Sequence, residues 1–256
     1  MAFSQYPRSV AGYNTMLHTP RWNGKGAGLR GIIVCHGHGG NALQAQQGEG
    51  FWTHPSVLAD AGYAVMAVDE GATSWMDDAC MTAITAAYND LVSTVGITGT
   101  KVGLMGWSMG GGSALNWVKR NPTLAAAVWL WSPLTDLDWV HGTGGYTPAY
   151  ATGGLTPAGG WATEIDTAYG GNYAANAPGH KVYDEPSTWA NICPIKIAHA
   201  TDDDTLPVAA STSFVANVNS TKVTLRTPDT TGGHQGSILA VPSSEVVGFF
   251  RDQWAA

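Results

Sequence analysis

Short apolar runs, nearly free of charge, alternate along most of this chain with longer stretches of helical period. Arg30 to Cys35 is one such run, with Gly31-Ile32-Ile33-Val34 at its centre. Tyr63 to Val68, Val102 to Met105, Ala125 to Trp131 and Ile192 to Ala200 are the others, and Lys222 to Arg226 is the last expected strand. Continuous apolar runs of this length, bounded by Gly, Pro and Asp, predict strands buried on both faces. Between them, Pro55 to Ala61 predicts a short helix stopped at Gly62. From Trp75 to Val95, Met81, Ile84, Tyr88, Leu91 and Val95 recur at three or four, which predicts a helix with Asp77 and Asp78 favouring its first turn. A helix from Ser108 to Arg120 is stopped by Asn121-Pro122, and a last helix puts Val246, Val247, Phe249, Phe250 and Trp254 on its core side.

Two regions break the rhythm. Residues 1–30 are polar and turn-rich, and Trp22-Asn23-Gly24-Lys25-Gly26 predicts a hairpin loop between short edge strands. Residues 133–190 are rich in Gly, Thr, Pro, Tyr and Trp without a clean period. A stretch this long inside a compact domain predicts a functional insertion, a lid or binding loop; an ordinary long connection is the plainer alternative. Within it, Asp184-Glu185-Pro186-Ser187-Thr188-Trp189 resembles a capped helix start.

Strand–helix alternation predicts an α/β fold: a mostly parallel, twisted sheet with helices on both faces. The insertion falls between its sixth and seventh strands. Ligands in such sheets sit beyond the carboxyl ends of the strands, where His36, His38, Asp69, Ser108 and Trp131 all fall. At 256 residues, with no repeat or linker, the chain is expected to form one domain over 1–256, with 133–190 as an insertion within it. The net charge of −7 and sparse Lys and Arg argue against nucleic acid and anionic membranes as partners. No apolar run approaches the ~20 residues that span a bilayer, and the opening residues lack the basic-then-apolar pattern of a signal peptide. That leaves a cytoplasmic place as the default expectation and a secreted or virion-associated one open. Cys35, Cys80 and Cys193 have no metal-ligand spacing and sit in apolar stretches, which predicts buried thiols, with a Cys80–Cys193 bridge left open.

The chemistry concentrates in Lys101 to Ser113, KVGLMGWSMGGGS. A strand enters Gly106-Trp107-Ser108-Met109-Gly110 and a helix leaves it. A serine hydroxyl is a weak nucleophile that must be offered at once to a base and to an anion-stabilising pocket. A tight strand-to-helix turn does this, with the new helix aiming its free N–H groups at the developing oxyanion. Downstream, Thr201-Asp202-Asp203-Asp204-Thr205-Leu206-Pro207 follows one strand, and Gly232-Gly233-His234-Gln235-Gly236 follows another. The order Ser108, acid, His234 is that of a strand-borne nucleophile, acid and base. Asp203, four residues before Pro207, is the expected acid. Asp202 and Asp204 are expected to be solvated or helix-capping, with Asp136 a remote fourth. His199, inside a strand, is expected to be a core histidine. His36 is expected to brace its loop by hydrogen bonds. The i, i+2 pair His36 and His38 has no acidic neighbour in sequence to complete a metal site.

On these residues the chain resembles the bacterial polyester hydrolases and cutinases, the poly(ethylene terephthalate) hydrolase group, whose elbows read G-W/H-S-M-G-G-G. More broadly it resembles dienelactone-hydrolase-like and carboxylesterase members of the α/β-hydrolase fold. The likeness covers residues 28–132 and 191–254. It implies that Ser108, Asp203 and His234 are a catalytic triad acting on carboxylic esters, without metal or cofactor. It also implies that the backbone N–H groups of Met109 and His38 form the oxyanion hole. Trp107 is expected to line the acyl side of the site, joined by one of Trp131 and Trp129, the other facing the core. Three departures are visible: a long 133–190 where that group has a short connection, His38 in place of its oxyanion-loop Tyr or Phe, and no cysteine pair near the C-terminus. Together they favour a covered pocket for a smaller or different ester over an open polymer groove. The alternatives are a serine peptidase on the same fold and a non-catalytic surface or virion-associated module that keeps it.

Overall fold

In the structure, a computed structural model, residues 3–20, 28–47, 50–142, 160–182, 189, 192–227 and 232–255 are described. Eight strands form one sheet: β1 (Phe3–Val10), β2 (Tyr13–Pro20), β3 (Arg30–Cys35), β4 (Tyr63–Val68), β5 (Val102–Trp107), β6 (Ala125–Trp131), β7 (Ile195–Ala198) and β8 (Val223–Arg226). Their order is β1-β2-β4-β3-β5-β6-β7-β8. β1 and β2 pair antiparallel, β2 meets β4 antiparallel, and every pair from β4 to β8 is parallel. The expected mostly parallel sheet is therefore present, and the 133–190 segment does lie between its sixth and seventh strands.

Alternate residues of β3 separate cleanly to the two faces. Ile33 and Cys35 join the core beneath α2 (Asp78–Asp90) and α3 (Met109–Arg120), whereas Ile32 and Val34 join the core beneath α1 (Thr53–Asp60) and the C-terminal helix. Burial on both faces is why the strand reads as an unbroken apolar run. The insertion contributes α4 (Leu137–His141), α5 (Ala162–Ala168) and α6 (Tyr173–Asn176) among the described residues. Three helices complete the chain: α7 (Val208–Val218), α8 (Gly236–Ala240) and α9 (Ser243–Ala255).

Several boundaries differ from expectation for local reasons. The edge hairpin turns at Ala11 and Gly12, both at positive φ, and its strands are eight residues each. The loop expected at Trp22–Gly26 lies outside the described residues, as does most of the helix start expected at 184–189. α2 begins at Asp78, not Trp75, because Trp75 and Met76 take positive φ and Asp77 caps the helix by accepting the Cys80 N–H at 2.7 Å. Its continuation through Leu91–Val95 widens to a π turn that Gly96 ends in the left-handed region. β7 is shorter than its apolar run because Pro194, with no N–H, precedes it. Among the described residues all three cysteines are buried and free, which answers the bridge question. No helix among them is long and apolar enough to cross a membrane.

Candidate active site

Strand register brings the site together. Cys35 pairs with Gly106, Trp107 with Trp131, Trp131 with Ala198 and Ala198 with Arg226, so the carboxyl ends of β3, β5, β6, β7 and β8 form one edge. Every expected catalytic residue follows one of these ends.

Ser108 stands alone between β5 and α3 at φ 55°, ψ −122°, a region non-glycine residues rarely occupy. Backbone hydrogen bonds hold it there: its N–H donates to Trp131 O (3.0 Å), and its carbonyl accepts from Gly111 (3.0 Å) and Leu134 (2.8 Å). The flanking glycines are sterically required. A Cβ on Gly106 would lie 2.4 Å from Gly110 O, and one on Gly110 would lie 2.2 Å from His36 O. This close approach presses the elbow against the loop after β3, and α3 starts directly behind the serine with its N-terminus toward the site.

His234 lies in a short 3-10 turn, Gly233–Gln235, with its side chain 16% exposed. Its Nδ1 lies 2.8 Å from Asp203 Oδ2, and its ring packs 5.6 Å from Trp107 between centroids. Its Nε2 is buried, with no hydrogen-bond partner among the described residues. The Asp203 side chain is fully buried. Its Oδ1 accepts the backbone N–H of Thr205 (3.0 Å) and of Leu206 (2.9 Å). Burial alone would raise its pKa, but hydrogen bonds and charge from His199 and His234 outweigh burial and hold the carboxyl well below the usual carboxylate range.

The competing aspartates are all accounted for. Asp202 is exposed and accepts the Gly233 N–H at 3.1 Å, tying the histidine loop to the acid loop. Asp204 is exposed and accepts from the Thr205 hydroxyl at 3.4 Å. Neither caps α7, which starts behind Pro207 without a side-chain cap. Asp136 caps α4 through Trp139 N–H at 3.0 Å. His199 is fully buried as expected, but it also reaches the acid, with Nε2 3.2 Å from Asp203 Oδ2.

Ser108, Met109, His234, His38 and Trp107 line one cavity of about 160 Å³, together with Trp75, Leu134, Trp161, Thr205 and Leu206. Trp131 does not line it: its indole is fully buried in the core on the face it shares with Trp107, against His54 at 4.6 Å and Phe51 at 5.5 Å. Trp129 is two residues away, shares that face and is equally buried. Both therefore belong to the core. The cavity wall comes instead from Trp75 and Trp161, which the sequence reading did not single out. An isolated Trp ahead of a short helical stretch in a polar insertion was the available signal for Trp161.

The loop after β3 is braced as expected: His36 is fully buried, and its Nδ1 donates to Gly37 O at 2.8 Å. Burial works to lower the His36 pKa, but Asp69, 3.8 Å from Nε2, and Glu70 raise it more. His38 reaches out of the same loop, with Nε2 2.7 Å from Glu164 Oε2 on α5 and its ring 5.1 Å from Trp75 and 5.8 Å from Trp161. Among the described residues, no group of three or more His, Cys, Asp or Glu side chains is arranged to hold a metal ion.

No protein family matches the chain by sequence, and no curated protein matches it. Solved structures do match it by shape. Est1E from Butyrivibrio proteoclasticus superposes with a TM-score of 0.70 at 19% identity, covering 98% of this chain and 99% of that one. Esterase B from Lactobacillus rhamnosis superposes with a TM-score of 0.71 at 16% identity, covering 99% and 88%. A Bacteroides ovatus chain assigned as a dipeptidyl aminopeptidase IV superposes with a TM-score of 0.66 at 15% identity, covering 98% of this chain and 35% of that one. With its strand order, register and elbow, the chain has the α/β-hydrolase fold.

Proposed function

We propose that this protein is a serine hydrolase of carboxylic esters. In this reading His234 Nε2 takes the Ser108 proton as the hydroxyl attacks the ester carbonyl. Asp203 holds the imidazole with its proton on Nδ1 and stabilises the cation that forms. The backbone N–H groups of Met109 and His38 receive the oxyanion, each donor contributing on the order of 3 kcal/mol to transition-state stabilisation. His234 then returns the proton to the leaving alcohol and activates water against the acyl-enzyme.

The observation that carries the reading is the conjunction of a strained Ser108, a His234 held by buried Asp203 at 2.8 Å, and one cavity lined by both Ser108 and His234. The esterase neighbours match this chain along most of their own length, which supports an ester reading over a peptidase one. In our reading the insertion acts as a cover: Leu134 and Trp161 wall the cavity and Glu164 fastens His38. A cavity of about 160 Å³ is below the ~300–1,000 Å³ of pockets for drug-sized ligands. It suits a short or flat aromatic acyl group better than a polyester chain, and this separates the protein from the cutinase-like group it resembles at the elbow. A p-nitrophenyl ester series from acetate to palmitate tests this. Turnover should peak at the short esters. A rise toward palmitate, or release of soluble products from polyester film, would overturn the covered-pocket reading.

A further inference from the structure

We propose that His199 is a positioning residue for the acid–base pair, fixing the turn that carries Asp203 and directing its carboxylate at His234. The proposal rests on the serine-hydrolase reading above.

His199 follows β7 and is completely buried, yet its ring is a junction rather than filling. Nε2 lies 2.6 Å from Leu206 O and 3.2 Å from Asp203 Oδ2. Both neighbours accept hydrogen bonds, so Nε2 must carry a proton. Nδ1 lies 2.8 Å from Ser211 Oγ on α7, a hydroxyl free to donate to it. A neutral ring protonated on Nε2 therefore satisfies every contact, and His199 ties together the end of β7, the acid turn and α7. Leu206 is held from both ends: its N–H donates to Asp203 Oδ1 at 2.9 Å and its carbonyl faces His199. Its side chain also walls the catalytic cavity.

The Asp203 side chain is shut off from bulk solvent. The groups that face it are His234 from the loop after β8, His199 from β7, and the two N–H groups of its own turn. Asp202 and Asp204 are exposed and bond to Gly233 N–H and the Thr205 hydroxyl. Two imidazoles thus share one carboxylate oxygen, and only His234 reaches the cavity. Removing the buried imidazole leaves Oδ2 with one donor fewer. The carboxylate becomes more basic and stabilises the doubly protonated His234 ring more strongly. His234 can act as base only when Nε2 is unprotonated, so activity at low pH falls.

The test is the pH profile of kcat/KM on p-nitrophenyl acetate for His199→Leu and His199→Gln. His199→Leu should move the acid limb to higher pH by about one unit and lower kcat on the order of tenfold, with KM little changed. His199→Gln can place an N–H where Nε2 was, so it should return the limb most of the way to wild type. An unshifted limb in His199→Leu, or equal losses in both variants without a shift, would overturn the proposal. If His199→Leu does not fold, Ser211→Ala takes its place: releasing the ring should give a smaller shift in the same direction, and no shift would be contradictory. Ser108→Ala is run beside them. Full turnover there would sink the hydrolase reading itself. An inactive Ser108→Ala beside a wild-type profile for His199→Leu would sink only the positioning role.

Discussion

Asp203→Asn isolates the acid of the proposed triad with almost no change of shape. Asp203 Oδ1 accepts the Thr205 and Leu206 N–H groups, so the asparagine oxygen is drawn to that side. Its NH2 then faces His234 Nδ1 at the 2.8 Å position that Oδ2 held. Nδ1 must become an acceptor, and the ring proton moves to Nε2, the atom that has to receive the Ser108 proton. On the other side the new NH2 meets His199 Nε2, which already carries a proton, so donor opposes donor at 3.2 Å. A base locked in the wrong tautomer costs on the order of 10⁴ in kcat, about 5 kcal/mol of transition-state stabilisation. The loss should fall on kcat while KM stays within a few-fold, because Asp203 does not line the cavity. The assay is steady-state hydrolysis of p-nitrophenyl acetate, with circular dichroism to confirm the fold. A kcat within tenfold of wild type would refute the argument. So would an equivalent loss in Asp202→Asn or Asp204→Asn, whose carboxylates bond elsewhere.

Two further predictions probe the frame of the site. Gly110→Ala puts a Cβ 2.2 Å from His36 O, so the loop after β3 must shift; activity should fall by at least 10²-fold with about 1–3 kcal/mol of lost stability, and near-native turnover would show that the elbow and loop are not interlocked. Glu70, 2% exposed, has its pKa pushed up by burial from 4.5 to about 7; its protonated form is favoured in the fold, so its stabilising effect is complete below pH 4.5 and lost as pH rises through about 7. Glu70→Gln should therefore remove about 3 kcal/mol of that pH dependence, seen as a flatter Tm between pH 4.5 and 8, and an unchanged slope would contradict it.

Much of this was legible in the sequence, and the reasons are specific. Buried strands such as β4, and β3 after its first residue Arg30, announce themselves as charge-free runs. The elbow is legible because backbone contact at Gly106 and Gly110 leaves no room for any other residue. Asp203 is distinguishable from its neighbours because the offset from Pro207 reflects the turn whose N–H groups it accepts. What stayed hidden depends on three-dimensional neighbours. At the sheet edge β1 has only half-buried and exposed positions and β2 has four consecutive buried ones, so neither shows a period of two. Trp129 and Trp131 look like site residues at a strand end, but they point to the face that α9 covers, where Trp129 meets Phe249 at 5.4 Å. His199 reads as core from its strand, and only the return of the acid turn onto it shows what its ring touches. The cavity wall from Trp161 comes from a segment without period, which sequence order could not bring to the site.

The central claim is that Ser108 is the nucleophile. The most direct measurement is to treat the protein with a serine-directed fluorophosphonate and map the adduct by mass spectrometry, with Ser108→Ala in parallel. The account predicts one phosphonyl group per chain, on the peptide containing Ser108, with p-nitrophenyl acetate turnover lost in proportion and no adduct on Ser108→Ala. An unmodified Ser108 in protein that still hydrolyses the ester, or an adduct on another residue that tracks the loss of activity, would contradict it.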